Sequence, residues 1–546
     1  MRLNDQSISD RSAWEAAGFE LPAFDRRELA RRTRAAPEWV HFGAGNIFRA
    51  FPAAVHQELL NAGAAAAGIV VAEGFDCEII ERAYRPYDCL SVLATLRADG
   101  SIGKKVVGSV AEALAADPSS PDWARLREAF RAPSLQLASF TITEKGYVLR
   151  DPAGNYLPDA AADAAGGPAA PRSLMGKAAA LCLERYEAGA LPLALVSMDN
   201  CSRNGERLGD SLRALAGAWA AAGLAPAGFP AYLADPARVA FPWTMIDKIT
   251  PRPDESVAAQ LGKAGLEDRE IVVTARKTWT APFVNAEEAQ YLVVEDAFPN
   301  GRPPLERGGV IFADRARVEL MERMKVSACL NPLHTSLAIF GCLLGYTSIH
   351  EEMGDPLLKA LVEQVGYAEG LPVAADPGIV SPEAFLREVI ERRFPNVFMP
   401  DTPQRIATDT SQKLAVRFGE TIKAYRARGG EGARSLVFIP LVLAGWCRYL
   451  LGLDDEGRSF EPSPDPLLGF TRSRLAGIGL GDKGPFREAL APLLSDASIF
   501  GLDLCEAGLG ERIEGYFGEL VAGKGAVRRS LEKYLGAAAR AGASAP

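Results

Sequence analysis

The spacing of hydrophobic residues divides this chain into two halves. About thirty-six mostly polar residues come first, among them the basic run RRELARRTR, and they read as a helical or irregular surface lead-in. Trp39–Phe42 is then a short apolar run with the look of a strand, and Gly43-Ala44-Gly45 makes a turn. Ile47, Phe48, Phe51, Val55 and Leu59 follow at helical spacing, and a second strand is predicted over 68–72, ending at Glu73. Further strand-like runs lie at 135–143, 191–198, 270–275 and 290–296, the alternation expected of a mainly parallel α/β sheet. Beyond about residue 310 amphipathic patterns take over, at 314–325, 333–346, 382–394, 411–428, 434–452, 484–498, 507–521 and 526–540. The expected organisation is a lead-in (1–36), an α/β domain (37–305), a mainly α-helical domain (306–535) and a low-complexity flexible tail (536–546).

Composition narrows this picture. A formal charge of −9 argues against a nucleic-acid surface, while leaving room for a local basic pocket. The run LVFIPLVLAGWC at 436–447 is uncharged, but it is too short to span a bilayer and Arg448 follows it, so a buried helix is predicted and no membrane segment. The eight cysteines form no CxxC pair, which gives no support for a metal site and suggests reduced core thiols in a cytoplasmic protein. The polar start MRLNDQSISD lacks the apolar run of a signal peptide.

Six stretches carry candidate chemistry. Gly43-x-Gly45 sits between a strand and a helix, where the first glycine permits a tight turn and the second admits a pyrophosphate to the N–H groups of the helix start. The place of a third glycine holds Phe48. Glu73, or Asp76 three residues on, lies where a carboxylate would accept the ribose hydroxyls of NAD and repel the extra phosphate of NADP. The stretches 141–147 (TITEKGY) and 197–205 (SMDNCSRNG) each follow an apolar strand, at the rim where open α/β sheets bind ligands. In the second of them Asn200 suits an oxyanion donor, and Asn204-Gly205 reads as a turn. In MKVSACLNPLH, Lys325, Asn331 and His334 are embedded in apolar sequence. Burial there disfavours the charged form of a lysine, the condition for a general base near neutral pH. Arg405 and Lys413, in RIATDTSQK, suit a carboxylate or polyol hydroxyls.

In order and number, the pieces HFGAGNIFRAF, TITEKGY, SMDNCSRNG, FPWTMIDKITP, EDAFPNGRPPLE, KVSACLNPLH and RIATDTSQK resemble the polyol-specific long-chain (mannitol) dehydrogenases, from residue 41 to 413. The resemblance implies a Rossmann-type N-terminal domain, a helical C-terminal domain and catalysis without a metal. It further implies NAD bound over residues 43–48, including Asn46 and Ile47, with Lys325 as acid/base. Asn200 and Asn331 would hold the substrate oxygen, and His334, Arg405, Lys413 and Asp247 would orient the substrate. Glu144 would assist proton exit to water. The family has four residues between its lysine and asparagine, whereas Lys325 and Asn331 have five. The CLNPLHT variant is similar to the mannonate-oxidising branch, so D-mannonate/D-fructuronate is the leading substrate pair, ahead of mannitol/fructose and altronate/tagaturonate. A silent NAD-binding sensor and an NAD-containing sugar epimerase are the readings from other classes. The expected partner is a small sugar acid or polyol, and the expected state a monomer or weak homo-oligomer.

Overall fold

The computed structural model describes residues 1–429 and 431–543. They form two compact units, one of Met1–Arg97 with Ser101–Glu319, the other of Leu320–Pro546 with Ala98–Gly100.

The first unit is built on a six-stranded parallel sheet of β1 (Trp39–Phe42), β2 (Ile69–Glu73), β3 (Val110–Ala115), β4 (Leu137–Phe140), β5 (Leu193–Ser197) and β6 (Val239–Ala240). Its spatial order is β3-β2-β1-β4-β5-β6, the doubly wound arrangement with its switch point between β1 and β4. Every residue of β1, β2, β4 and β5 is buried. Burial on both faces is why these strands read as unbroken apolar runs rather than alternating ones. One face packs on a core with Phe42, Phe140, Leu181 and Trp219, the other on Trp39, Phe48, Val71 and Ile80.

Several expectations need correction. The helix predicted from Ile47 to Leu59 is two helices, α1 (Asn46–Ala50) and α2 (Pro52–Asn61), broken at Phe51 because proline disfavours helical geometry in the residue before it. The runs at 270–275 and 290–296 do not join the parallel sheet. Val272–Val273 pairs antiparallel with Trp279–Thr280 in a small hairpin, and Tyr291–Glu295 lies between Thr244–Asp247 and Ile311–Ala313. The parallel sheet is completed instead by β3, VAEALA, whose alanines and glutamate carry little strand propensity. The lead-in is built into the unit: Phe19–Glu20 pairs with Ile102–Val107 at the edge of a four-stranded sheet. Of the cysteines, all free, Cys182, Cys329, Cys342 and Cys447 are buried; Cys77, Cys89 and Cys201 are half-buried and Cys505 is exposed.

α3 (Asn204–Ala221) belongs to the first unit, and α4 (Arg315–Met324) leads along the chain into the helical one. That second unit contains α5 (Asn331–Leu344), α6 (Phe438–Tyr449), α7 (Gly510–Leu520) and α8 (Ala526–Ala543). The uncharged run at 436–447 lies largely in α6, buried from Ile439 to Tyr449. Its start is held by Glu369, whose carboxylate accepts the N–H groups of Val437, Phe438 and Ile439 at 2.5, 2.8 and 2.7 Å, satisfying donors a helix leaves open. The stretches 382–394 and 411–428 are not uniform α-helices, because each contains a π-turn, Val389–Arg393 and Ala415–Gly419. The tail expected to be flexible is helical as far as Ala543, and its last three residues lie outside the described ones.

Candidate active site

In the first unit the carboxyl ends of β1, β4 and β5 bring three of the predicted stretches to one edge. Gly43 has φ +105°, and a Cβ there would lie 2.2 Å from the Thr141 carbonyl oxygen, so only glycine fits. A Cβ on Gly45 would meet nothing within 4 Å. Open space directly over the turn, at the start of α1, suits the pyrophosphate of a dinucleotide. Asn46 and Ile47 are half-buried at that helix start. Phe48 is fully buried and stacks on His41, ring centroids 4.1 Å apart, so its side chain braces the turn from beneath rather than facing a cofactor. His41 binds Ser139 Oγ (2.6 Å) and Thr141 Oγ1 (2.9 Å) through its two ring nitrogens, and burial lowers its pKa to about 3, leaving a neutral strut.

The acids at the end of β2 are more engaged than the sequence suggests. Glu73 accepts the N–H of Ala44 at 2.8 Å on one oxygen, and those of Phe75 (2.8 Å) and Asp76 (3.1 Å) on the other. It ties the glycine turn to the loop after β2, with both of its oxygens engaged. Asp76 is buried and accepts the Thr274 hydroxyl at 2.6 Å. Phe75, between them, is 66% exposed with the Arg276 guanidinium over its ring.

After β5, Asp199 is the organiser that sequence reasoning passed over. Its carboxylate accepts Ile142 N–H (2.8 Å), Thr143 N–H (2.9 Å) and Tyr147 O–H (2.6 Å), binding the 141–147 stretch to the loop that carries Asn200. Thr143 is held at φ +65° by this arrangement. Asn200 itself is exposed. Asn204 is not in a turn. It is buried at the start of α3, donates to Asp199 O and to Thr244 O and Oγ1, and accepts Thr244 N–H. Gly205 is required beside it, since a Cβ would come within 2.6 Å of the Phe241 and Pro242 carbonyl oxygens. Glu144 opens the short 3-10 turn Glu144–Tyr147, exposed and paired with Arg207 at 2.7 Å. Asp247 is buried at the end of Thr244–Asp247.

In the second unit Lys325 is buried and opens a π-turn, Lys325–Cys329, closed by a 3.1 Å bond from Leu330 N–H back to Lys325 O. In an α-helix one surplus residue rotates everything beyond it by about 100°. The wider π-turn can take up such a residue, and it lies within the stretch of five residues that separates Lys325 from Asn331. Asn331 begins α5, with Pro332 in the first turn where its missing N–H costs nothing. His334, in the same turn, is tilted against Phe394 with centroids 5.1 Å apart. Its Nε2 is buried without a hydrogen-bond partner among the described residues, 3.5 Å from Asp401 Oδ2. Burial, followed by the fields of Arg417, Arg405, Arg393 and Lys413, lowers its pKa to about 3, so the imidazole is neutral. Arg405 is exposed and ion-paired with Asp401, and Lys413 donates to Thr408 O at 2.5 Å. Arg417, a cation that nothing in its local sequence singles out, donates to Thr335 Oγ1 on α5. Among the described residues no three His, Cys, Asp or Glu side chains gather so as to hold a metal ion.

A doubly wound dinucleotide fold joined in one chain to a helical unit with a buried lysine and a half-buried asparagine and histidine is the plan of a dehydrogenase, and comparison with known proteins agrees. Residues 37–307 match the mannitol dehydrogenase Rossmann domain and residues 317–515 the mannitol dehydrogenase C-terminal domain. The chain belongs to the mannitol dehydrogenase family. It is 55% identical to the D-mannonate oxidoreductase of Thermotoga maritima, over 98% of this chain and 99% of that one. It is 32% identical to the mannitol 2-dehydrogenase of Cereibacter sphaeroides, over 82% and 86%. Among solved structures, the mannitol 2-dehydrogenase of Pseudomonas fluorescens, in ternary complex with NAD and D-mannitol, aligns with TM-score 0.68 and 27% identity over 98% of this chain and 100% of that one. A substrate-free D-sorbitol dehydrogenase shares the fold, with TM-score 0.78 and 24% identity over 97% and 100%.

Proposed function

We propose that this chain is an NAD-dependent oxidoreductase that interconverts D-mannonate and D-fructuronate. The likeness to a D-mannonate oxidoreductase over nearly the whole of both chains carries this reading. The cations about His334 suit a substrate that bears a carboxylate.

The Gly43–Gly45 turn would hold NAD, which when bound would supply the hydride acceptor. Lys325 takes the carbinol proton during oxidation and returns it during reduction. Asn200 and Asn331 donate side-chain N–H to the oxygen as charge develops, each worth roughly 3–4 kcal/mol in favourable cases. Neutral His334, with Arg405, Lys413 and Asp247, orients the substrate, and Glu144 passes the proton towards water. Free cysteines throughout are in keeping with a reducing, cytoplasmic setting.

NADH oxidation with D-fructuronate, D-tagaturonate and D-fructose in parallel tests the substrate. Preference for fructuronate is expected, and preference for fructose would refute the sugar-acid reading while keeping the family mechanism. Silence with all three despite NADH binding would point to the sensor or the epimerase. Lys325→Ala is expected to abolish turnover while NADH binding survives, and retained turnover would remove Lys325 from its role.

A further inference from the structure

The cations about His334 are not equivalent. Arg405 has its charge matched by Asp401. Lys413 donates to the Thr408 carbonyl and lies in the fields of Asp409 and Asp465. Arg393 is buried and has a partner of its own.

Arg417 differs from all three. It is half-buried on the π-turn Ala415–Gly419, and no carboxylate among the described residues lies within ion-pair reach of it. Among the described residues its one side-chain hydrogen bond runs to the Thr335 hydroxyl, which leaves most of the five guanidinium donors uncommitted. Burial lowers its pKa to about 10, and no acid among the described residues offsets the cost. A desolvated cation without a counter-charge is unusual unless an anion visits it.

Its position is equally particular. Thr335 Oγ1 is fixed by its own bond to Asn331 O at 2.9 Å, so Arg417 lies against the first turn of α5. Of the four cations that bear on His334, Arg417 acts most strongly, and the His334 Nε2 is itself buried and unpartnered. From Asn331 to Thr335 a helix rises about 6 Å. That is comparable with the four-bond path between the ketone carbon of fructuronate and its carboxylate.

We propose that Arg417 is the carboxylate-binding residue of the substrate site, gripping the terminal carboxylate of a hexonate or keto-hexonate. This rests on the sugar-acid reading above. In it Arg405 orients hydroxyls while Arg417 selects for the acid.

The test compares wild type, Arg417→Met and Arg417→Lys in steady-state reduction of D-fructuronate, alongside NADH titration by fluorescence and thermal unfolding. The expected result is a KM for fructuronate raised about 10- to 100-fold in Arg417→Met. A much smaller change in kcat, unaltered NADH affinity and partial rescue by Arg417→Lys should accompany it. A folded Arg417→Met enzyme with the wild-type KM would overturn the proposal, as would a fall in kcat and NADH affinity at constant KM, which would make Arg417 a brace for α5. Wild type that does not reduce fructuronate would instead overturn the sugar-acid reading, and this proposal with it.

Discussion

Glu352 offers a sharp test of the energetics behind helix α5. It lies in the short helix Ile349–Met353, is fully buried, and neither carboxyl oxygen has a hydrogen-bond partner among the described residues. Its carboxyl packs on Gly341 of α5, where a Cβ would lie 2.0 Å from Oε1. Burial, reinforced by Asp355 and Glu351, raises its pKa to about 9 from an ordinary 4.5. A folded-state pKa above the unfolded one means that the native state binds the extra proton. Stability is therefore fully present below pH 4.5 and lost as pH rises through 9. At pH 7 the interval from 4.5 is two and a half units, and at ~1.36 kcal/mol per unit Glu352 costs about 3 kcal/mol. Glu352→Gln keeps the shape and the neutral state and removes the ionisation. Urea denaturation of both proteins at pH 5, 6, 7 and 8 should show the variant gaining on wild type by roughly 1.4 kcal/mol per pH unit, with little difference at pH 5. Parallel stability curves would refute the reasoning and mean that water or a cation reaches this carboxyl.

Two other substitutions probe the first unit. Asp199→Asn removes the charge that Ile142, Thr143 and Tyr147 donate to and turns an NH2 group towards at least one of these donors, an expected loss of about 2–3 kcal/mol by urea denaturation. Because that loop carries Asn200, kcat should fall while NADH titration stays unchanged; equal loss of both would mean that the unit itself is disrupted. Gly43→Ala forces a Cβ into the Thr141 carbonyl at a positive φ. NADH affinity should drop at least ~10-fold, together with more than about 1 kcal/mol of stability.

What the sequence made legible follows from what each signal depends on. Strands β1, β2, β4 and β5 were readable because burial on both faces removes the need for polar positions, leaving runs such as LALVS. Gly43 was readable because its backbone geometry admits no other residue. The roles of Glu73 and Asn204 were not, since an acid at a strand end and an Asn-Gly pair say nothing about which backbone amides will close on them. Arg417 was hidden for a similar reason: within KLAVRFGE it resembles any cation on a helix, and what distinguishes it is the acid it lacks, visible only once neighbours from distant sequence are in place. Helical periodicity also averages over a whole window, so π-turns at 389–393 and 415–419 passed for ordinary helix.

The π-turn at Lys325 bears on how such enzymes tolerate change in length. A residue inserted into a rigid α-helix would swing Asn331 and His334 out of line with the lysine, and selection would be expected to discard it. A widened turn such as Lys325–Cys329 lets a surplus residue stay local, without rotating the helix that follows it. The quantity preserved across such a site is then an angle and a distance rather than a number of residues. A search that demands a fixed count between lysine and asparagine will pass over enzymes whose geometry is intact.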